Sequence, residues 1–306
     1  MKKIFIAWGL LSLTFAAYCQ QNSNKPDTSI KQINMEEVIV SVNKWEQKLN
    51  EVPNKISKVN KIEILRNNPQ TAADMLTQTG TVFVQKSQLG GGSPIRGFAT
   101  NRILLVIDGV RMNNAIYRSG NLQNIISIDA LSTQTAEVIF GPGSLIYGSD
   151  AIGGVMDFHT LNARFATDKK MLLTGSALAR YSTANKENTF HADINLGLKK
   201  WSFLSSFTFS KFDDLKMGKN GGQDSYLRPE YVERINGIDS IVKNTDPRIQ
   251  RFSGYEQINF LQKIRFKPSQ HLDMQYSFTY AGTGDAARYD RLIQYRNGRL
   301  RFAEWN

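Results

Sequence analysis

Residues 189–199 read TFHADINLGLK, with Phe190, Ala192, Ile194, Leu196 and Leu198 on one side and Thr189, His191, Asp193 and Asn195 on the other. Successive side chains of an extended chain point to opposite faces, so this alternation predicts a β-strand with one apolar and one polar face. The pattern continues in both directions. After Lys199 and Lys200, Trp201, Phe203, Phe207 and Phe209 share a face opposed by serines, Leu204 and Thr208. Leu272, Met274, Tyr276, Phe278 and Tyr280 alternate with His271, Asp273, Gln275, Ser277 and Thr279, while residues 171–181 and 255–266 alternate more loosely. Each run approaches the ~9–11 residues that a tilted strand needs to cross a bilayer.

A soluble β-sandwich also alternates, but two features set these strands apart from one. Aromatic residues mark the ends of the runs (Tyr181, Phe190, Trp201, Tyr255, Phe266 and Tyr280), where interfacial girdles belong. The connections also alternate in length: residues 182–188 and 212–254 read as longer loops, whereas 199–200 and 267–270 read as tight turns. This is the pattern of an antiparallel transmembrane β-barrel. Between residues 165 and 306 there is room for about five such strands, too few to close in lipid, where every backbone group must be paired. The expectation is an incomplete barrel, the opening strands of a larger one.

The first half of the chain has a different texture. Lys2 and Lys3, an apolar run over 4–17 and the small residues Ala17 and Cys19 read as a signal peptide over 1–19, cleaved before Gln20. The competing reading keeps Cys19 as a lipidated N-terminus, against which Tyr18 is bulky. Cys19 is the chain's one cysteine, so loss of the signal would leave a mature chain without a disulfide. Residues 20–44 are a polar, flexible leader carrying one β-branched segment: Glu36, Glu37, Val38, Ile39, Val40, Ser41 and Val42. From 45 to 160 the pattern is mixed α and β. It comprises a short helix over 70–78 closed by Gly80, a strand over 81–85 and a glycine loop over 90–97. A buried strand over 103–107 then turns at Asp108-Gly109, followed by a helical stretch over 121–130 and a buried strand over 136–140.

That last strand enters GPGSLIYGSDAIGGVMDF, residues 141–158, which invites a phosphate-cradle reading. The spacing rejects it. A P-loop places Lys directly after its second glycine, whereas Gly148 is followed by Ser149 and Asp150; the dinucleotide fingerprint fails because residue 146 is Ile. Here Gly141 and Gly143 turn the chain, and Gly148, Gly153 and Gly154 allow close backbone approach. The net charge of +11 comes from Lys and Arg scattered among acids, without a nucleic-acid-binding motif, so no nucleic-acid partner is expected. No nucleophile-elbow, zinc-type His pair or cysteine pair is present, and no reaction can be assigned. By alternation His191 and His271 face the lumen from opposite ends of their strands, and His159 ends the mixed region; none has metal-ligand spacing.

Three motifs in order, Pro94-Ile-Arg-Gly97, Val106-Ile-Asp-Gly-Val110 and the run from Gly141 to Val155, resemble the plug domain of a TonB-dependent outer-membrane receptor. Phe140 departs from the Arg that this family commonly carries before Gly-Pro. The resemblance implies an α+β plug inside a 22-stranded barrel, outer-membrane localisation, and import of a scarce solute driven by the periplasmic domain of TonB. It also implies that the 36–42 segment is the TonB box; the residues alone leave it equally a first plug strand. Ser93, Arg96, Arg111, Asn113, Asn114, Tyr117 and Arg118 would then lie in loops at the plug apex, either reading a polar or anionic ligand or supplying ordinary loop polarity. Residues 101–118 with Gly120-Asn-Leu-Gln123 look most like the haem and haemoglobin receptor branch. That implies haem, a ferric complex or a haem protein as ligand, Tyr117 as an iron ligand and Arg111 or Arg118 as a propionate partner. No resident cofactor is implied. A non-energised adhesin or carbohydrate-docking receptor is the alternative.

Overall fold

The computed structural model describes residues 38–39, 47–48, 54–77, 80, 102–112, 124–167, 170–220, 226–284, 289–301 and 303. The signal peptide, the strand over 81–85 and the loop over 90–97 lie outside them. A short antiparallel ladder comes first, β1 (Val38–Ile39) pairing with β2 (Gln47–Lys48).

An α/β unit follows. β3 (Ile56–Asn60) leads straight into α1 (Lys61–Asn67), whose start is a capping box: the Asn60 side chain accepts from the Glu63 amide, and Glu63 accepts from the Asn60 amide. α2 (Ala72–Thr77) starts at Thr71, whose hydroxyl accepts from the Asp74 amide, and Gly80 closes its end at φ 68° by donating to the Thr77 carbonyl. β4 (Ile103–Ile107) and β5 (Val110–Arg111) meet at Asp108 and Gly109, both at positive φ as a two-residue hairpin turn demands. Of the helix expected over 121–130, the described residues 124–130 hold a single 3₁₀ turn (Asn124–Ser127); just beyond it Asp129 accepts from the Leu131 amide and bends the chain toward β6 (Thr133–Phe140). α3 (Ser144–Tyr147) and β7 (Gly154–Thr160) complete the unit.

The sheet order is β3-β6-β7-β4-β5, with β4 and β7 parallel. β4 is buried on both faces, which is why its sequence is an unbroken apolar run. Ile103 and Leu105 face Ile64, Met75, Leu76 and Ile125, whereas Leu104 and Val106 face Tyr147 and Ala151. The glycine run is therefore a packed corner. Its close approach falls at Gly143, where a Cβ would stand 2.8 Å from Val155 Cγ2.

The second half is a wall of long strands: β8 (Leu172–Ser182), β9 (Glu187–Gly197) and β10 (Trp201–Phe212). The chain then leaves the wall through β11 (Leu215–Lys216), the hairpin of β12 (Glu230–Ile235) and β13 (Ile238–Lys243), and β14 (Ile249–Gln250). It returns as β15 (Tyr255–Phe266) and β16 (Met274–Thr283), and leaves again through α4 (Tyr289–Leu292), β17 (Tyr295–Arg296) and β18 (Arg299–Leu300). The wall order β16-β15-β10-β9-β8 is antiparallel throughout, and among the described residues the sheet does not close.

Two connections differ from the sequence reading. The β8–β9 ladder runs on to Ser182 opposite Glu187, so the supposed long loop is a tight turn with Lys186 at φ 45°. β16 begins at Met274, which leaves His271 and Leu272 in the turn that follows β15. The face assignment of β9 and β10 stands. Phe190, Ile194 and Phe207 point to the exposed side, while Thr189, His191, Ser206 and Thr208 are buried. A water-soluble sheet shows the reverse, so this inside-out burial marks a lipid-facing exterior.

Gly197 sits where residues 164–166 cross the end of β9, and a Cβ there would stand 2.3 Å from the Arg164 carbonyl oxygen. Gly197→Ala should destabilise the seated connection by about 1–3 kcal/mol. It should lower the temperature at which the full-length protein loses its folded, heat-modifiable band on electrophoresis, whereas Gly218→Ala, whose Cβ meets nothing within 4 Å, should not.

Candidate functional site: the seam between the α/β unit and the wall

The inward rows of β9, β10 and β15 are polar and closed off from solvent. Glu187, Thr189, His191, Asn195, Ser202, Ser206, Thr208, Ser210, Gln257, Asn259 and Lys263 are all buried. Polar groups withdrawn from water need partners, and the α/β unit supplies many of them at three heights.

At the end bearing the β8–β9 turn, Arg180 reaches the loop between α1 and α2, donating to Asn68 Oδ1 at 2.7 Å and to the Pro69 carbonyl at 3.0 Å. The same guanidinium pairs with Glu187 at 2.6 Å, and Glu187 also accepts from Gln70 at 2.5 Å and from Thr189 at 2.6 Å. Glu187 is fully buried yet multiply bonded, as a buried carboxylate must be.

At mid-height the link runs through Asp129. Thr208 donates to Asp129 Oδ2 at 2.6 Å, Ser132 donates to the same oxygen, and Ser132 also meets Ser206 at 2.9 Å. With its proton committed to Asp129, the Thr208 oxygen accepts from His191 Nδ1 at 2.7 Å, which places a proton on that nitrogen. His191 Nε2 lies 3.4 Å from Asp193. Lys61 donates to the Leu131 carbonyl, and burial lowers its affinity for a proton against the opposing pull of Asp129 and Asp193. A crevice of about 20 Å³, room for roughly one water, lies among Gln70, Asp129, Arg180, Thr208 and Asn259.

Toward the short-turn end, Lys263 projects from β15 and meets Asp108 Oδ2 at 3.0 Å. Asp108 in turn accepts from the Thr160 amide at 2.9 Å and the Thr160 hydroxyl at 2.6 Å, so one carboxylate ties the β4–β5 turn, the end of β7 and the wall together.

The connection after β7 is fastened differently. Leu161 and Ala163 pack against Leu204 and Leu261, and the Arg164 backbone bonds Asn195 and Ser202. The tether is therefore partly apolar, while the unit it carries is held by hydrogen bonds and ion pairs that water can replace.

Of the apex residues expected from sequence, Arg111 is described. It is bound to the glycine corner, donating to the Ser149 carbonyl at 2.9 Å and lying 3.4 Å from Asp150. Ser93, Arg96, Asn113, Asn114, Tyr117 and Arg118 lie outside the described residues. Within the 36–42 segment only Val38 and Ile39 are described, paired with Lys48 and Gln47; Glu36, Glu37, Val40, Ser41 and Val42 are not. The seam residues Asp108, Asp129, Lys61, Gln70, Arg180, Glu187 and Lys263 escaped the sequence reading. For Arg180, Glu187 and Lys263 the one sequence signal is a charged side chain at the inward parity of a wall strand, as at Lys263 within INFLQKIRF; Lys61, Gln70, Asp108 and Asp129 lie in the α/β unit and carry no such signal.

Inside the unit, Asp157 and Glu137 lie directly opposite each other on β7 and β6, both buried. Tyr147 donates to Asp157 Oδ2 at 3.0 Å and His159 Nε2 lies 3.8 Å from the same oxygen, whereas Oδ1 has no hydrogen-bond partner among the described residues. Burial raises the Asp157 pKa; Glu137 and Asp108 push the same way, and His159 and Tyr147 push against it.

A model described as TonB-dependent Receptor Plug Domain matches residues 48–155. The vitamin B12 transporter BtuB of Vibrio vulnificus strain CMCP6 is 28% identical over 270 residues, covering 86% of this chain and 40% of that protein. The hemin receptor of Yersinia pestis is 29% identical over 163 residues, covering 51% of this chain and 24% of that protein. The chain thus spans well under two thirds of the length of either relative. Two solved structures share the fold. The pyoverdine outer membrane receptor FpvA of Pseudomonas aeruginosa PAO1, bound to pyoverdine, has TM-score 0.54 at 11% identity, over 82% of this chain and 31% of that one. The copper transporter OprC has TM-score 0.53 at 15% identity, over 74% and 31%.

The raised Asp157 pKa has a pH consequence. The folded unit holds that proton more tightly than the unfolded chain, so ionisation costs stability as pH rises above the ordinary Asp value of ~3.9. Asp157→Asn keeps an acceptor for Tyr147 and removes the charge. Hydrogen exchange of the β7 amides should show its opening free energy raised by on the order of 1 kcal/mol at pH 8. The gain should vanish below about pH 3.9, where the wild-type carboxyl is protonated in both states; a gain that persists there would place its origin elsewhere.

Proposed function

We propose that this chain, whose residues 48–155 match the TonB-dependent receptor plug domain, serves energy-coupled import of a scarce solute, with the α/β unit as the movable plug of the lumen. The observation that carries this reading is the contrast in fastening. A plug that must shift on demand needs a seat that is specific yet replaceable by water, and a tether that stays. The seam through Arg180, Asp129 and Asp108 has the first property, and Leu161 and Ala163 against Leu204 and Leu261 have the second.

The segment from Glu36 to Val42 acts as the TonB box. Val38 and Ile39 are extended and paired with only a two-residue strand, so a partner strand from the periplasmic domain of TonB can take over that backbone pairing at small cost. TonB then pulls on a segment continuous with β3, the edge strand of the plug sheet. The solute we favour is a ferric complex or haem, in line with the hemin receptor among the relatives. Tyr117 would be the iron ligand and Arg118 the propionate partner, since Arg111 is occupied by Ser149 and Asp150. Ser93, Arg96, Asn113 and Asn114 would complete the apex.

Deleting residues 36–42 from the full-length receptor should abolish uptake while leaving solute binding intact; undiminished uptake would overturn energised import and return the adhesin reading. Added haem should give a shifted Soret band that weakens in Tyr117→Phe. A receptor that neither shifts nor retains haem would remove the haem assignment while leaving energised import standing.

A further inference from the structure

At the short-turn end of the wall, Lys170 precedes β8, Lys199 and Lys200 form the β9–β10 turn, and Lys267 opens the turn between β15 and β16. Backbone pairing sets these positions side by side along one rim. Leu172 lies opposite Gly197, Trp201 lies opposite Phe266, and the Lys267 amide donates to the Lys200 carbonyl at 2.8 Å. All four lysines are exposed.

Their charge is unbalanced. Asp273 is the one carboxylate among the described residues of these turns, and Arg265 holds both of its oxygens, at 2.8 and 2.6 Å. Lys267 reaches it only at 3.9 Å. Lys170, Lys199 and Lys200 have no ion-pair partner among the described residues. Asp168 and Lys169 lie outside them and cancel in charge. The opposite rim is the reverse: Lys186 meets Asp213 at 3.2 Å, Lys211 meets Glu256 at 2.5 Å and Arg180 meets Glu187 at 2.6 Å. Gathered lysines repel one another, and an anion supplied from outside relieves that repulsion.

The surface next to these lysines says which anion. Trp201 directly follows Lys200; its ring stacks on Phe266 with centroids 4.2 Å apart and still leaves the residue 42% exposed. Met171, Leu173, Leu272 and Met274 are also exposed at this end. An outward aromatic girdle marks the depth of the lipid headgroups, and a lysine stem lies along apolar surface while its ammonium stays among them. The long excursions leave the other end, and outer-membrane barrels keep short turns on the periplasmic side, so this rim meets the periplasmic leaflet. A soluble acidic protein would match the charge but not the apolar band beside it. An anionic phospholipid matches both.

We propose that the rim of Lys170, Lys199, Lys200 and Lys267 binds anionic phospholipids of the periplasmic leaflet, with phosphates received by the ammonium groups and acyl chains lying against Trp201 and its outward neighbours. Lipid held there fixes the depth of the short-turn rim in the membrane. The assignment rests on the lipid-facing exterior of the wall and not on energised import.

The test is native mass spectrometry of the full-length receptor in non-ionic detergent, with equal amounts of phosphatidylglycerol and phosphatidylethanolamine. The wild type should retain phosphatidylglycerol in preference. Combined Lys199→Gln, Lys200→Gln and Lys267→Gln should weaken that retention by about five-fold per lysine and leave phosphatidylethanolamine unchanged. Arginine at the same three positions should preserve the preference. Combined Lys219→Gln, Lys243→Gln and Arg299→Gln, exposed on the long excursions, removes the same charge from the other end and should behave as the wild type. Excess glycerol 3-phosphate should leave the lipid bound; displacement would mean a site for free phosphate and overturn the lipid assignment. A wild type without preference, a glutamine triple variant that keeps it, or an equal loss in the control would each overturn it too. Should the triple variant lose its heat-modifiable band and so fail to fold, Lys199→Gln with Lys200→Gln against the control decides.

Discussion

Each wall strand must show lipid one face and the lumen the other, and the backbone period of two leaves it no third choice. Everything else in the structure follows from what fills the lumen side. Serine, threonine, asparagine and histidine on β9 and β10 would be stranded polar groups if an apolar unit sat against them. They would face an open channel if nothing did. The α/β unit instead offers matched carboxylates and carbonyls, with Asp129 opposite Thr208 and Asp108 opposite Lys263. The polar lumen face and the charged edge of the plug are thus two halves of one requirement.

The links across the seam differ in magnitude. A hydrogen bond between neutral groups contributes about 0.5–1.5 kcal/mol net, because water offers nearly as good a partner. The Ser132–Ser206 contact is of this kind, whereas Thr208 donates to the Asp129 carboxylate and belongs to the stronger, charge-assisted class of about 1.5–3 kcal/mol. Buried charges behave differently: removing the partner of Glu187 or Lys263 leaves an uncompensated ion, so these pairs are stringent about position even where their net contribution is small. A charged group stands at each of the three heights, Glu187 with Arg180, Asp129 with Thr208, and Asp108 with Lys263, and these links fix where the plug sits. The apolar packing of Leu161 and Ala163 supplies the permanence, since water cannot replace it on equal terms.

Much of this was legible one residue at a time. The strand faces of β9 and β10, the Asp108-Gly109 turn and the helix closed by Gly80 all rest on local chemistry, and each appears in the fold. Some of what was overlooked was equally local. Asn60 with Glu63 is a capping box that announces α1, and Asn236-Gly237 and Asn297-Gly298 are hairpin turns with both residues at positive φ. The glycine that matters most for close packing in its run, Gly143, could not be told from its neighbours, because Val155 approaches it only when β7 folds back beside β6.

The sequence by itself determined which residues face lipid and which face inward, because that depends only on parity along a strand. It also determined where several turns fall, because positive φ selects Gly and Asn. The tertiary structure alone decided which inward residue meets which plug residue. Arg180 and Asn68, Thr208 and Asp129, and Lys263 and Asp108 are separated by 79 to 155 positions along the chain, as their numbers show. No local rule relates them. Their pairing is set by how the plug sheet is rotated within the wall, a rigid-body placement that depends on the packing of both units at once.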